Sequence, residues 1–349
     1  MKKYVPLLLF AAIAFSVYAH WMVFNEFYRP TYGNTNIHTA SEKHLIEHGY
    51  YPIQNDYSYG GGEPNLYVPL YRFNAANFMV LTGFDFDFGN RLIVILFALL
   101  LPLGFFLLGR ELAGDWAGVM AAFLASLPAE LLIYTVRPLP QALGLALLPI
   151  ALYLMLKKEW LAALIASAGV VLVHQEAGVF LVGVAFATGV GKIIIDYWNE
   201  NKLVASDLAK IALACWLVGT AAYFGWHFFV TGNVNVFELA QFQHHEGGVI
   251  TQESFFTKTG YLIPALSVFG IIGLLWALLS KKLDDAGLLV LSALAVGVFA
   301  TQNHLVGINV FMDRFLVFVQ IPLIAAAAYG FLKVFEIASW IAEKVNNYS

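Results

Sequence analysis

The sequence predicts an all-α, polytopic integral membrane protein of about ten transmembrane helices with a large first extracytoplasmic loop, and three observations predict it. Hydrophobic residues make up 60% of the 349 and charged residues only 12%, against roughly 45–50% and about 25% in an ordinary soluble domain. Apolar runs of about 20 residues, the length that crosses some 30 Å of hydrocarbon, recur along almost the whole chain. Lysine and arginine fall at every second connection between those runs, as the positive-inside rule expects of one cytoplasmic face.

The runs place helices near 4–24, 91–109, 114–135, 139–156, 160–174, 177–195, 207–230, 260–280, 285–303 and 315–333. Lys2 and Lys3, Arg110, Lys157 and Lys158, Lys192 with Lys202, Lys281 and Lys282, and Lys333 then share one side. Both termini are therefore expected in the cytoplasm of a multi-pass cell-membrane protein. Val17-Tyr18-Ala19 resembles a signal-peptide cleavage site, but the apolar stretch exceeds a typical signal core, so an uncleaved first helix is the preferred reading. The chain reads as a single membrane domain, 1–349, with a first outer loop at 25–90, a second at 232–259 and a cytoplasmic interfacial helix over 335–349. No internal repeat or low-complexity tract is evident.

The net charge of −4 is spread out, with no basic block of the kind that holds nucleic acid. Cys215 is the only cysteine, so neither a disulfide framework nor a thiolate metal site is available. All nine histidines, His20, His38, His44, His48, His174, His227, His244, His245 and His304, fall in or beside the outer half of this topology. That face is where function is sought.

Ionisable groups at or within membrane helices are costly to place and mark function when a partner can be named. Arg137, in the turn Tyr134-Thr135-Val136-Arg137-Pro138, suits a phosphate or carboxylate fork; its plainer role is a snorkelling anchor or an ion pair with Glu130. Arg314 begins the last run and offers a second positive group to an anionic headgroup, or pairs with the adjacent Asp313. His174-Gln175-Glu176 breaks an apolar stretch as either a site wall or a water-facing cap. His38 and Glu42, like His44 and His48, are four apart and share a helical face, yet no tight metal-ligand signature is present. His244-His245-Glu246 reads as a loop tip. No cofactor is expected, a divalent metal being unsupported by these spacings.

The order of features resembles the GT-C superfamily of membrane glycosyltransferases, which includes protein mannosyltransferases, lipid A aminoarabinose transferases and oligosaccharyltransferase catalytic subunits. The resemblance runs over most of the chain up to the last span. It rests on Glu47-His48-Gly49-Tyr50-Tyr51-Pro52, Tyr67-Val68-Pro69-Leu70, Leu108-Gly109-Arg110-Glu111-Leu112, Thr135-Val136-Arg137-Pro138 and Arg314-Phe315-Leu316. What it implies is transfer of a sugar from a polyprenyl-phosphate carrier to an acceptor at the extracytoplasmic face, with the lipid-linked sugar and the bilayer as partners. Arg137 and Arg314, with His174, would hold the donor phosphate, and His38 with Glu26 or Glu42 would handle the acceptor's proton.

One departure stands out. Where the family carries its catalytic aspartate, this chain has Asn34 and Thr35, and an amide cannot take a proton as a carboxylate does. Either Glu26, Glu42, Asp56 or Glu63 supplies the base, or the chain is a non-catalytic relative that binds a lipid-linked saccharide or a membrane partner. A transporter is disfavoured by the absence of repeats and of charges near the middle of the spans.

Overall fold

The computed structural model describes residues 2–26, 35–55, 63–201, 205–233, 248–308 and 311–346. Of the residues singled out above, Asn34, Asp56, Lys202, His244, His245 and Glu246 lie outside them, as do the side chains of Lys2, Glu26 and Glu63. The chain opens with α1 (Val5–Glu26), followed by α2 (Thr35–His48), a two-residue antiparallel pair β1 (Gln54–Asn55) and β2 (Glu63–Pro64), and α3 (Leu70–Thr82). Next come α4 (Phe86–Ala113), α5 (Asp115–Leu124), α6 (Ala129–Thr135), α7 (Pro140–Leu156), α8 (Trp160–Val173) and α9 (Gln175–Glu200). The remainder is α10 (Asp207–Thr231), α11 (Gln252–Thr259), α12 (Leu262–Leu279), α13 (Asp285–Thr301) and α14 (Met312–Asn346).

Every predicted apolar run is built of helix, the one at 114–135 in two pieces. Among the described residues six helices, α1, α4, α9, α10, α12 and α14, are long and apolar enough to cross a membrane, and α5 with α6 makes a seventh candidate. The apolar helices α7, α8 and α13 are shorter, at 17, 14 and 17 residues. The protein is a multi-pass helical membrane protein.

The run at 114–135 is not one helix as predicted. It bends by 75° between α5 and α6. Pro128 lacks a backbone donor and pushes Leu127 out of the helical region, and the last turn of α5 tightens to i→i+3 bonds at Ser126 and Leu127. The residues expected to form an interfacial helix over 335–349 belong, as far as Asn346, to α14, which continues to there without a break. At 35 residues it is about 52 Å long against some 30 Å of hydrocarbon, so one end projects beyond the membrane core.

The buried centre is α14, in which every residue from Phe315 to Ala328 is buried, as expected of a helix apolar on all sides. It lies directly against α12. A Cβ on Gly270 would collide with the Ala326 carbonyl, and one on Gly330 with the Leu266 carbonyl. Helix pairs in lipid gain little from hydrophobicity, so close approach through small residues carries the association.

Two ends of the bundle differ in chemistry. At one, Asp285 binds Lys158 at 3.1 Å and Lys192 at 3.2 Å, and Lys281 donates to the Trp198 carbonyl at 3.1 Å. At the other, α3 packs against α4, α7 and α8, and α2 packs on α3. Replacing Gly270 by Leu is expected to cost about 1–3 kcal/mol by overpacking. Thermal unfolding in nanodiscs checks this against Gly225→Leu, a helical position with nothing within 4 Å, which should leave the midpoint unchanged.

Candidate functional site

The site is built around Arg72, a side chain whose place in the sequence gave it no functional role. It projects from α3 and is 2% exposed. Its Nε and Nη2 donate to His38 Nδ1 at 3.4 and 3.2 Å, and its Nη1 donates to the Tyr51 hydroxyl and, at 3.3 Å, to Asn65 Oδ1. Because His38 Nδ1 accepts, its proton sits on Nε2. Burial, reinforced by the charges of Arg72 and His174, holds His38 well below its ordinary range, so it is neutral.

Tyr67 links this group to the bundle. Its ring lies 4.9 Å from the Arg72 guanidinium carbon, 4.7 Å from the His38 ring and 6.4 Å from the His174 ring. His174 stacks on Phe318 of α14 at 6.2 Å and caps α9, its Nδ1 accepting the Ala177 N–H at 3.2 Å. The helix break predicted at His174 is thus a cap, and the same residue also forms a wall of the site. Beside it, Arg314 Nη1 donates to Glu176 Oε1 at 3.1 Å, while its guanidinium covers the Phe311 ring at 4.8 Å. Asp313 accepts from the Arg314 backbone N–H at 3.0 Å.

These groups share one cavity of about 670 Å³, with His38, Arg72, His174, Glu176 and Arg314 at its polar end. From there α9 contributes Val179, Phe180 and Gly183, and α13 contributes Val296, Phe299 and Ala300. Each set follows the i, i+3, i+4, i+7 spacing of one helix face, continuing from Glu176 on α9 and towards Asn303 beyond α13. Val179 is 50% exposed and Phe299 56%, so the apolar side opens toward the surroundings. The groove closes where a Cβ on Gly183 would meet Val296 at 3.1 Å, about 10 Å along the helix from Glu176.

Of the residues expected at the site, His38, His174 and Arg314 come together. Arg137 stands apart from the cavity lining: its Nε donates to the Ile133 carbonyl at 3.0 Å and its guanidinium lies over the Tyr134 ring at 4.9 Å. Glu130, its expected ion partner, pairs with Lys258 at 3.2 Å. Glu42 also misses the cavity. It is fully buried behind His38, and among the described residues neither carboxyl oxygen has a hydrogen-bond partner. Burial pushes its pKa up to about 8, opposed by Arg72 and Asn90. Glu26 ends α1. Among the described residues no cluster of three or more His, Cys, Asp or Glu is arranged to hold a metal.

Comparison with known proteins yields no matching family model and no similar curated protein. Solved structures do match. The apo oligosaccharyltransferase of Archaeoglobus fulgidus aligns with 100% of this chain at a TM-score of 0.67 and 14% identity. The same organism's oligosaccharyltransferase AglB, in complex with an inhibitory peptide and a dolichol-phosphate, aligns at 0.61 and 15%, and a complex with Zn and sulfate at 0.63 and 15% over 95% of the chain. The helical architecture is shared with part of each of those structures. That likeness bears out the expected helical membrane fold and, at 14–15% identity, no more; the chain spans only about half, 50–52%, of those structures' lengths.

The buried Glu42 gives a pH signature. Between about pH 4.5 and 8 the native state keeps a proton that the unfolded chain has released. Its contribution to stability is therefore full below pH 4.5 and is lost as pH rises through 8. Thermal unfolding from pH 5 to 9 should show the midpoint falling with pH, and Glu42→Gln should flatten that decline.

Proposed function

We propose that this chain is a membrane glycosyltransferase that moves a sugar from a polyprenyl-phosphate carrier to an acceptor at the extracytoplasmic face. The observation that carries the reading is Arg314, whose guanidinium opens into a cavity continuous with the apolar groove between α9 and α13. A lipid phosphate has the same two-part chemistry. Among the described residues Glu176 alone accepts from the Arg314 side chain, so further donors are left to fork onto a phosphate. His174 adds its Nε2–H, and Arg72 adds positive potential through a water-poor wall.

Transfer then needs a base and a stabilised leaving group. As the acceptor attacks the sugar's anomeric carbon, its proton passes to a Glu176 carboxylate oxygen and the bond from that carbon to the phosphate oxygen breaks. The departing electron pair stays on the phosphate, where Arg314 stabilises it. His38, its Nδ1 occupied by Arg72, orients and donates. The ten helical runs are assigned as ten crossings, with α5 and α6 together forming one. Both termini are assigned to the cytoplasm, a reading supported by the lysines around Asp285, and residues 1–349 to one membrane domain.

A non-catalytic relative that holds a lipid-linked saccharide is the second reading, favoured by Asn34 and Thr35 where the family carries an acid. Reconstitution with radiolabelled dolichyl-phosphate sugars separates the two. Arg314→Ala should weaken donor binding at least ~10-fold through loss of a charge-assisted contact. Glu176→Gln should leave binding within a few-fold and cut transfer by about 10²–10⁴. Wild-type protein that binds donor but moves no sugar to any acceptor would defeat the enzyme reading.

A further inference from the structure

Two side chains of α10 line the same cavity and have no part in phosphate binding or proton transfer. Tyr223 and His227 are four residues apart and so share a helix face, and both belong to the cavity wall. His227 is 3% exposed, and among the described residues neither of its ring nitrogens has a hydrogen-bond partner. Leaving a buried polar group unpaired is costly, so an imidazole with two unpaired nitrogens in a cavity wall calls for a partner. Both nitrogens are covered in the structure, and a turn of the ring about its Cβ–Cγ bond brings one of them to a ligand in the cavity.

The chemistry of that ligand follows from the groups present. A neutral imidazole offers one N–H donor and one lone pair, which match a hydroxyl or two neighbouring hydroxyls. The Tyr223 ring lies 4.5 Å from the His227 ring at 58°, giving an aromatic face for the C–H side of a pyranose. The wall is held in place by the neighbouring residue, since Trp226 Nε1 donates to the Leu66 carbonyl at 3.1 Å and Gln175 Nε2 from α9 donates to the same oxygen at 3.2 Å. That carbonyl belongs to the segment bearing Asn65 and Tyr67, so α10, α9 and the segment carrying Tyr67 keep a fixed spacing across the cavity.

We infer that His227 and Tyr223 form a saccharide subsite that binds the sugar carried by the lipid donor. The inference rests on the donor reading above and adds the contact that distinguishes a sugar-bearing lipid from a bare one.

The test measures binding of the full chain in nanodiscs to dolichyl phosphate and to dolichyl phosphates bearing glucose, mannose, galactose or N-acetylglucosamine. Wild type should prefer at least one sugar-bearing lipid over the bare lipid by ~10-fold or more, as two or three hydrogen bonds and a stacking contact allow. His227→Ala should abolish that preference without changing affinity for dolichyl phosphate, His227→Asn should restore part of it, and Tyr223→Ala should reduce it. A full preference retained in His227→Ala, or no preference in wild type that nonetheless binds dolichyl phosphate, overturns the subsite. Wild type that fails to bind dolichyl phosphate at all defeats the donor reading instead.

Discussion

The buried guanidinium of Arg72 is the interaction on which the site end of the molecule depends. A charge taken out of water is tolerated only when its donors are satisfied, and Arg72 meets that condition by drawing in His38 from α2, Tyr51 from the link after α2, and Asn65 beside the β pair. Three separate pieces of the segment between α1 and α4 thus converge on one side chain. Tyr67 then passes the arrangement to His174 and the head of α9. The apolar face of α3, with Tyr71, Ala75 and Met79, packs on α4, α7 and the end of α8, and this polar knot, together with the small cluster of Leu45, Tyr51 and Ala76 against Trp226, ties the rest of the segment to it.

The bundle beneath supplies the complementary property. Its helices associate through close backbone approach, as at Gly270 and Gly330, and this leaves a groove between α9 and α13 where side chains diverge. The groove's apolar residues follow directly below Glu176 on the same helix face. A polar pocket and an apolar channel are therefore joined by the geometry of one helix, and Arg314 stands at the junction. Its pairing with Glu176 gives that junction two opposite charges within 3.1 Å, so an arriving anion competes with the carboxylate for the guanidinium.

The helical membrane architecture was legible because repeated apolar runs of spanning length suit a bilayer and little else. The break in the 114–135 run was legible too, in Pro128, but hydropathy averages over a single proline. At the site, the period of four correctly put His38 and Glu42 on one side of α2. It did not show that one turn, about 6 Å of rise, separates a cavity wall from a sealed interior. Arg72 was hidden in an aromatic stretch of the first outer loop, although a lone arginine amid Leu70, Tyr71 and Phe73 is the signal that pointed to it. Arg137 misled for the opposite reason. Its short turn looked exposed to ligand, whereas its Nε turns back to cap the Ile133 carbonyl. His227 was visible only as one of nine histidines, because a cavity is a property of several helices together.

The central claim is the position of a lipid phosphate. A cryo-electron microscopy structure of the full chain in nanodiscs with dolichyl phosphate tests it most directly. The phosphate is predicted within hydrogen-bond distance of the Arg314 guanidinium, with the lipid chain descending past Val179 and Phe299. Density for the lipid at another face, with the Arg314–Glu176 pair undisturbed and the groove empty, would contradict it.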